Sequence, residues 1–239
     1  MSLINSDPLS VQSSLNPLLL LDKLVDHPNG VELLRQYQEF YQQVQADQHP
    51  VIETVKGRIE SRIILIDALS KAKEFVIISS PWLSQRSLDQ DILLRMTALL
   101  DRGCYLYIGW GYSYDIKGIS PYGKIINIFP SGECFINMTA DTAGHYSAFP
   151  KLQELRKRYP EQLELKLTGT HEKYILCDHQ FAMVGSHNVL SSHESSLSAP
   201  REMGVKTTDQ SVIADLIEDF FNAPDLKYDP NLVSEATAS

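Results

Sequence analysis

The chain has 239 residues, of which 43% are hydrophobic and 21% are charged, and its formal net charge at pH 7 is −9. This length and composition favour one compact domain with terminal additions over two equal domains. No run approaches the roughly 20 apolar residues that a membrane-spanning helix needs, and the N-terminus lacks the features of a secretory signal. We therefore expect a soluble protein without a membrane anchor.

The acidic residues concentrate at the two ends of the chain. Residues 1–50 hold six acidic and two basic residues, and residues 201–239 hold eight and three, which leaves 16 of each sign in residues 51–200. The neutral middle can carry a local basic groove, for which Arg156, Lys157, Arg158 and Lys166 are candidate substrate-binding residues. The alternative interpretation of this cluster is a solvated helix end, favoured by the helix dipole.

The N-terminal residues 1–50 are predicted to form a tail and one or two helices. Leu34, Tyr37, Tyr41 and Val44 recur at helical spacing within Val31–Gln45. This extension could serve as a dimerisation arm or as a docking surface for a partner protein. Packing against the following domain is the favoured interpretation.

Residues 51–224 are predicted to form an α/β domain that begins with a βαβ unit. A helix over residues 58–72 presents Ile59, Ile63, Ile66 and Leu69 on one side. The next elements are strand Phe75–Ile78, a helix over Leu88–Arg102 closed by Gly103, and strand Cys104–Trp110.

Residues 111–150 show no clear periodicity and are interpreted as a long loop, a type of segment that is often functional. Tyr112, Tyr114 and Tyr122 could stack on nucleic-acid bases. For each of them alone, ordinary loop packing is the favoured alternative.

The sequence pattern in the rest of the domain predicts further helices and strands. The helices are Lys151–Tyr159 and Gln210–Asn222, the second capped by Asp209 and packed through Val212, Leu216, Ile217 and Phe220. The strands are Leu163–Leu167, Lys173–Asp178, Phe181–Val184 and Glu202–Thr207. Together these elements predict a mixed β-sheet flanked by helices on both faces, followed by a C-terminal tail over residues 225–239.

Three cysteines, Cys104, Cys134 and Cys177, occur at no metal-ligand spacing. An odd number of cysteines is typical of unpaired thiols in a reducing compartment, so the cytoplasm is the expected location.

One stretch carries a chemically informative pattern. His171, Lys173 and Asp178 are spaced as H-x-K-x4-D, and after six further residues the chain reads Gly185-Ser186-His187-Asn188. His171 and Ser186 fall near the ends of two predicted neighbouring strands, where a small site can be built on rigid elements. The pattern occurs once, since His27, His49 and His145 lack a lysine two residues later.

This pattern resembles the catalytic motif of the phospholipase D superfamily, and the flanking elements extend the resemblance over roughly residues 58–222. His187 departs from the pattern, because the family more often has an apolar or aromatic residue there. In that superfamily two such motifs face each other across a twofold or pseudo-twofold axis. A single motif therefore implies a homodimer with a shared active site.

The resemblance also implies roles for individual residues. His171 would be the nucleophile in one subunit and the acid in the other, Lys173 would bind the phosphate oxygens, and Ser186 and Asn188 would complete the phosphate pocket. Glu202 is the candidate for the carboxylate that orients His171, whereas Asp178 and Gly185 are motif residues with a structural role. We expect no cofactor and no metal.

The expected activity is that of a metal-independent endonuclease that cleaves DNA or RNA through a phosphohistidine intermediate. One alternative is a phospholipase D that acts on phospholipids. The other is a non-catalytic nucleic-acid-binding subunit of a larger defence or mobile-element assembly, for which the intact motif gives no support.

Overall fold

Most of the chain after residue 50 is organised around a mixed seven-stranded sheet. The computed structural model describes residues 35, 50–119, 124–127, 133–139, 142–191 and 201–230. The sheet strands are β1 (Ile52–Lys56), β2 (Phe75–Ser79), β3 (Tyr105–Trp110), β7 (Leu163–Leu167), β8 (Tyr174–Cys177), β9 (Phe181–Gly185) and β10 (Met203–Thr207). Their order is β1-β10-β9-β8-β2-β3-β7, in which β2, β3 and β7 are parallel and every other neighbouring pair is antiparallel.

Within the described residues, four helices cover the two faces of this sheet: α1 (Gly57–Lys71), α2 (Gln90–Asp101), α3 (Phe149–Arg158) and α4 (Gln210–Asn222). Val76 and Ile78 of β2 point into the larger core, together with buried residues of α1, α2 and α3. Ile77, between them, points to the opposite face and packs with Ile213 and Phe220 of α4. Alternate residues of this strand are thus buried on opposite faces of the sheet. This arrangement confirms the predicted mixed β-sheet with helices on both faces.

The segment interpreted as a long loop contains regular structure. After a 3₁₀ turn at Ser113–Asp115, strands β4 (Ile116–Ile119), β5 (Ile125–Asn127) and β6 (Cys134–Ile136) form a separate three-stranded antiparallel sheet in the order β5-β4-β6. The loop interpretation was therefore wrong for these residues. Strands of three or four residues are too short to produce a recognisable alternation in the sequence.

Two predicted helix faces need correction. In α1 the buried residues are Ser61, Leu65, Ala68 and Leu69, whereas Ile59 and Ile63 are 64% and 54% exposed. In α4 the buried residues are Ile213 and Phe220, and Val212 is exposed. The remaining predicted residues do pack on the core, namely Ile66 and Leu69 of α1 and Leu216, Ile217 and Phe220 of α4. The predicted faces are thus correct in part, because the apolar residues of both helices outnumber the positions that face the sheet.

The predicted helix ends were more accurate than the faces. Helix α4 has the predicted bounds, and the Asp209 carboxylate accepts hydrogen bonds from the backbone N–H groups of Ser211 and Val212. Helix α2 ends near Gly103, whose φ of +83° suits a residue that follows a helix. Strands β2 and β3 with α2 between them form the predicted parallel βαβ unit.

The strand directions bring many loops to one edge of the sheet, called here the carboxyl edge. The C-terminal ends of β1, β9, β2, β3 and β7 meet there with the N-terminal ends of β10 and β8. Residues that are far apart in sequence therefore become neighbours at this edge.

Residues 225–229, assigned from the sequence to a C-terminal tail, are attached to the domain. The backbone N–H of Leu226 donates to the Leu167 oxygen at 2.8 Å, and Tyr228 packs against Trp110 and Phe149. The end of the tail and, apart from the helical Arg35, the predicted N-terminal helices lie outside the described residues.

Cys104, Cys134 and Cys177 are buried free thiols. Burial raises the pKa of Cys134 to about 11 and that of Cys177 to about 12. These two thiols are thus protonated and unreactive near neutral pH. No helix in the described part of the chain is both long and apolar enough to cross a membrane.

Candidate active site

The two halves of the sequence motif meet in the β8–β9 hairpin. His171 and Lys173 directly precede β8, and Ser186 directly follows β9, so both groups lie at the carboxyl edge. The backbone N–H of Gly185 donates to the Lys173 oxygen at 3.2 Å, which closes the hairpin at this end. The predicted placement of His171 and Ser186 at the ends of adjacent strands is confirmed.

The side chain of Lys173 lies close to His171. Its Nζ donates to the His171 backbone oxygen at 2.7 Å. Both residues line a cleft of about 240 Å³, together with Gly185, Leu216 and Asp219. Burial lowers the pKa of Lys173, and the nearby Glu202 carboxylate opposes that shift. A partly desolvated ammonium group is well suited to bind a phosphate oxygen.

The glycine of the Gly-Ser-x-Asn element is required by close backbone packing. A Cβ atom on Gly185 would lie 2.5 Å from the Cα of Gly204 and 2.7 Å from the Met203 oxygen. Gly185 of β9 pairs with Gly204 of β10, and the two backbones lie too close at this point for a side chain on Gly185. This approach fixes the position of Ser186 at the strand end.

Ser186 and Asn188 lie beside the start of β10. The backbone N–H of Ser186 donates to the Met203 oxygen at 3.0 Å, and the Ser186 Oγ accepts from the Met203 N–H at 3.1 Å. The Oδ1 atom of Asn188 is buried without a hydrogen-bond partner within the described ranges. It is consequently an acceptor whose hydrogen-bonding capacity is unused.

Glu202 lies in a largely buried cluster with Arg58 and His187. Its Oε2 lies 3.7 Å from the Arg58 Nε, its side chain is 9% exposed, and its backbone oxygen accepts from the Gly57 N–H. Among the contacts described for these residues, none joins the Glu202 carboxylate to His171. The expected orienting contact is therefore not made in the single chain.

His187 belongs to the same cluster. The residue is 1% exposed, and both ring nitrogens are buried. Burial lowers the pKa of His187, while the Glu202 carboxylate opposes the shift. The residue that departs from the family pattern thus points into the protein and not into the cleft.

Asp178 has a clear structural role. It adopts a left-handed conformation with φ of +49°. Its carboxylate accepts hydrogen bonds from the backbone N–H groups of Lys73, Glu74 and Phe75 at 2.7–3.0 Å. Asp178 thereby fixes the start of β2 to the end of β8, at the edge opposite His171.

The basic cluster proposed from the sequence does not form one groove. Lys166 is buried, and its Nζ donates to the backbone oxygens of Phe220 and Phe221 at the end of α4, so it is not available to a substrate. Arg156, Lys157 and Arg158 occupy the last turn of α3. That turn precedes β7, whereas His171 follows it, and a five-residue strand spans roughly 15 Å. The helix-end interpretation agrees with this position.

Tyr112 was predicted as a possible base-stacking residue, but neither its proximity to His171 nor that of Trp82 was predicted from the sequence. The ring centroids of Tyr112 and Trp82 lie 5.1 Å and 6.2 Å from that of His171. Tyr112 follows β3 and Trp82 follows β2, so both occupy the carboxyl edge. The sequence shows that each of them follows a predicted buried strand. Their proximity to His171 depends on the order of the strands in the sheet, which the sequence does not show.

No three side chains of His, Cys, Asp or Glu within the described ranges are grouped in a way that could hold a metal ion. A single His171 with a single Lys173 can supply one nucleophile or one acid and one cation for a phosphate. Phosphodiester cleavage without a metal needs both a nucleophile and an acid.

Comparisons with known proteins agree with the sequence motif. The family profile described as "Cardiolipin synthase, PLD-like domain" matches residues 65–223. A comparison with curated protein sequences gives no match.

Solved structures with similar folds include Nuc from Salmonella typhimurium, a phospholipase D family member, with 14% identity, a TM-score of 0.48 and coverage of 74% of this chain and 97% of Nuc. NucT from Helicobacter pylori has 16% identity, a TM-score of 0.47 and coverage of 73% and 96%. Phosphatidylserine synthase from Haemophilus influenzae has 15% identity, a TM-score of 0.47 and coverage of 82% and 46%.

Proposed function

This chain belongs to the PLD-like domain family of the phospholipase D superfamily, and from that premise we propose that it is a metal-independent endonuclease whose active site is shared between two subunits. The main support for this proposal is the single His171–Lys173 pair, in which an exposed His171 and a half-buried Lys173 line one cleft at the carboxyl edge. The substrate would be the phosphodiester backbone of DNA or RNA.

The reaction would proceed in two displacements. A ring nitrogen of His171 attacks phosphorus, the bond to the leaving oxygen breaks, and the partner subunit's His171 gives that oxygen a proton. Water then attacks the phosphohistidine and passes a proton to the same partner histidine. The phosphorus–nitrogen bond breaks and the product carries a terminal phosphate, so each histidine returns to its initial state.

Lys173 would stabilise the charge on the non-bridging phosphate oxygens. Its ammonium group is already partly desolvated, and it would exchange the His171 carbonyl oxygen for a phosphate oxygen. The Ser186 hydroxyl and Asn188 amide would add neutral hydrogen bonds. Two copies of each residue across a twofold axis would surround one phosphate.

Glu202 is proposed to act in this site through its charge. It supports the protonated form of Lys173, as the direction of its effect on the lysine pKa indicates. An orienting contact with His171 would require the carboxylate to leave Arg58. That change would accompany assembly of the dimer.

A phospholipid substrate is the second candidate, because the matching profile is described by the name of cardiolipin synthase. The cleft beside His171 also includes apolar side chains, such as Leu216. A phosphatidyl group contains the same phosphodiester chemistry. Only the groups attached to the phosphate distinguish the two substrates.

The test is a cleavage assay with the full chain in the presence of EDTA. Labelled single- and double-stranded DNA, RNA and phosphatidylcholine vesicles are supplied as parallel substrates, beside a His171→Ala variant. Cleavage of nucleic acid that resists EDTA and disappears in the variant is the expected result. Cleavage of lipid alone, loss of activity on chelation, activity without His171, or binding without cleavage would each contradict the proposal.

A further inference from the structure

A connected group of aromatic rings extends from His171 to the protein surface. Tyr112 lies next to His171, with ring centroids 5.1 Å apart, and Tyr114 lies next to Tyr112 at 5.3 Å. Trp82 supports Tyr112 from another side at 5.4 Å. We call Trp82, Tyr112 and Tyr114 the aromatic cluster.

Asp115 holds this cluster in place. Its carboxylate accepts hydrogen bonds from the Trp82 Nε1 at 3.1 Å and from the Tyr146 hydroxyl at 2.8 Å. The Tyr146 hydroxyl in turn accepts from the Tyr112 N–H at 3.0 Å. Because burial raises the pKa of Tyr146, its hydroxyl keeps the proton that it donates. The backbone at Tyr112 and the ring of Trp82 are consequently fixed.

The outermost ring is exposed although its backbone belongs to a defined turn. Tyr114 is 75% exposed and lies within the 3₁₀ turn Ser113–Asp115. A side chain so exposed contributes little burial to the fold. By contrast, the exposed Tyr105 stacks on Tyr107 at the start of β3, which is the end of that strand remote from His171.

We propose that the aromatic cluster is a stacking subsite for an unpaired nucleobase next to the phosphate that His171 attacks, and that the enzyme therefore prefers single-stranded nucleic acid. This inference rests on the nuclease function proposed above. Aromatic rings bind bases through their faces, so the preference is for unpaired bases and not for a particular sequence. In a duplex those faces are covered by neighbouring base pairs.

The surroundings of Tyr114 favour a base over a lipid chain. An acyl chain needs a continuous apolar surface, whereas Tyr114 is flanked by the exposed Ser113 and by Asp115. One ring with polar neighbours is suited to one planar ligand.

The test compares three variants on two polymers. Tyr114→Ala removes the outer ring, Tyr114→Phe retains it, and Tyr105→Ala removes an exposed tyrosine at the other end of β3. The substrates are a labelled single-stranded oligonucleotide and an abasic deoxyribose-phosphate oligomer of equal length. The abasic oligomer has the same backbone charge but no base to stack.

We expect Tyr114→Ala to lower kcat/KM on the oligonucleotide by about tenfold. The kcat/KM of this variant on the abasic oligomer should equal that of the wild type. The Tyr114→Phe and Tyr105→Ala variants should match the wild type on both. An equal loss on both polymers, or no loss on the oligonucleotide, would overturn the subsite while the nuclease function stands. Phosphatidylcholine or cardiolipin vesicles serve as a third substrate. If Tyr114→Ala lowers only the cleavage of these vesicles, the aromatic cluster binds a lipid and the base subsite is overturned. A wild-type protein that cleaves neither polymer would overturn both proposals.

Discussion

The Nζ atom of Lys173 lies 2.7 Å from the backbone oxygen of His171. In an extended chain, side chains two positions apart point to the same side, so those of His171 and Lys173 begin on one face. Here the long lysine side chain returns to the peptide group of the proposed nucleophile. The cation is therefore held within reach of any phosphate that contacts the histidine.

Replacement of Lys173 tests its role as the phosphate cation. Lys173→Met should lower kcat by about 100-fold or more, because the phosphate charge loses its stabilising cation. Lys173→Arg should recover part of this loss, since arginine keeps the charge with a different geometry. Steady-state kinetics on an oligonucleotide would measure both. Equal activity of Lys173→Met and the wild type would exclude the role.

The titration of Lys173 should depend on Glu202. Burial lowers the lysine pKa from its ordinary value of 10.5, and the Glu202 carboxylate raises it. Glu202→Gln removes the opposing charge, so the pKa of Lys173 should fall further. The ¹³Cε resonance of Lys173, assigned with the Lys173→Arg variant, would report this shift by NMR.

Glu53→Gln provides the matched control, since Glu53 pairs with Lys206 on the strand pair β1–β10. This variant should leave the titration of Lys173 unchanged. An unchanged or raised lysine pKa in Glu202→Gln would contradict the proposed effect of Glu202.

Asp178 should contribute to stability and not to chemistry. Asp178→Ala leaves three backbone N–H groups without their acceptor and should lower the free energy of unfolding by roughly 3 kcal/mol. Asp178→Asn, which tolerates the left-handed backbone, should cost less. Asp67→Ala breaks only an exposed pair with Lys71 and should cost below about 1 kcal/mol. Urea unfolding measures all three, and kcat of folded Asp178→Asn should equal that of the wild type.

His187 should make stability depend on pH. Its folded pKa is lowered by burial from 6.5, so below that pH the unfolded chain binds more protons than the folded one. The contribution of neutral His187 to the free energy of unfolding is fully present above pH 6.5. It is lost as the pH falls from the pKa of the unfolded chain to the lower pKa of the folded protein. Urea unfolding between about pH 8 and pH 5 should show this loss in the wild type.

The His187→Leu variant should lack that component, whereas a variant of the exposed His179, His179→Gln, should retain it. A difference in stability between wild type and His187→Leu that stays constant over this pH range would refute the prediction.

Local signals in the sequence were sufficient for several features. The Asp209 cap and the apolar pattern that follows predict α4 with the observed bounds. The motif spacing predicts that His171 and Ser186 lie at one end of a hairpin. Both features depend on residues that are close in sequence, where hydrogen-bonding geometry and periodicity act directly.

Features that depend on distant contacts could not be predicted in this way. Strand β1 is an edge strand with one fully buried side chain, Val55, so its sequence shows little apolar alternation. Lys166 is a basic residue in the sequence, but its buried contacts to Phe220 and Phe221 appear only after α4 packs on the sheet. Trp82 reaches His171 because β2 lies beside β8.

The proposed homodimer is tested most directly by mixing subunits. Wild-type and His171→Ala chains are unfolded together in known ratios, refolded and assayed on an oligonucleotide. If each active site needs His171 from both subunits, activity falls as the square of the wild-type fraction. An equal mixture would then retain about one quarter of the wild-type activity.

Light scattering on the same samples should give the mass of a dimer. A linear dependence that leaves about half of the activity in the equal mixture, together with the mass of a monomer, would show that one chain carries a complete site and would contradict the shared active site.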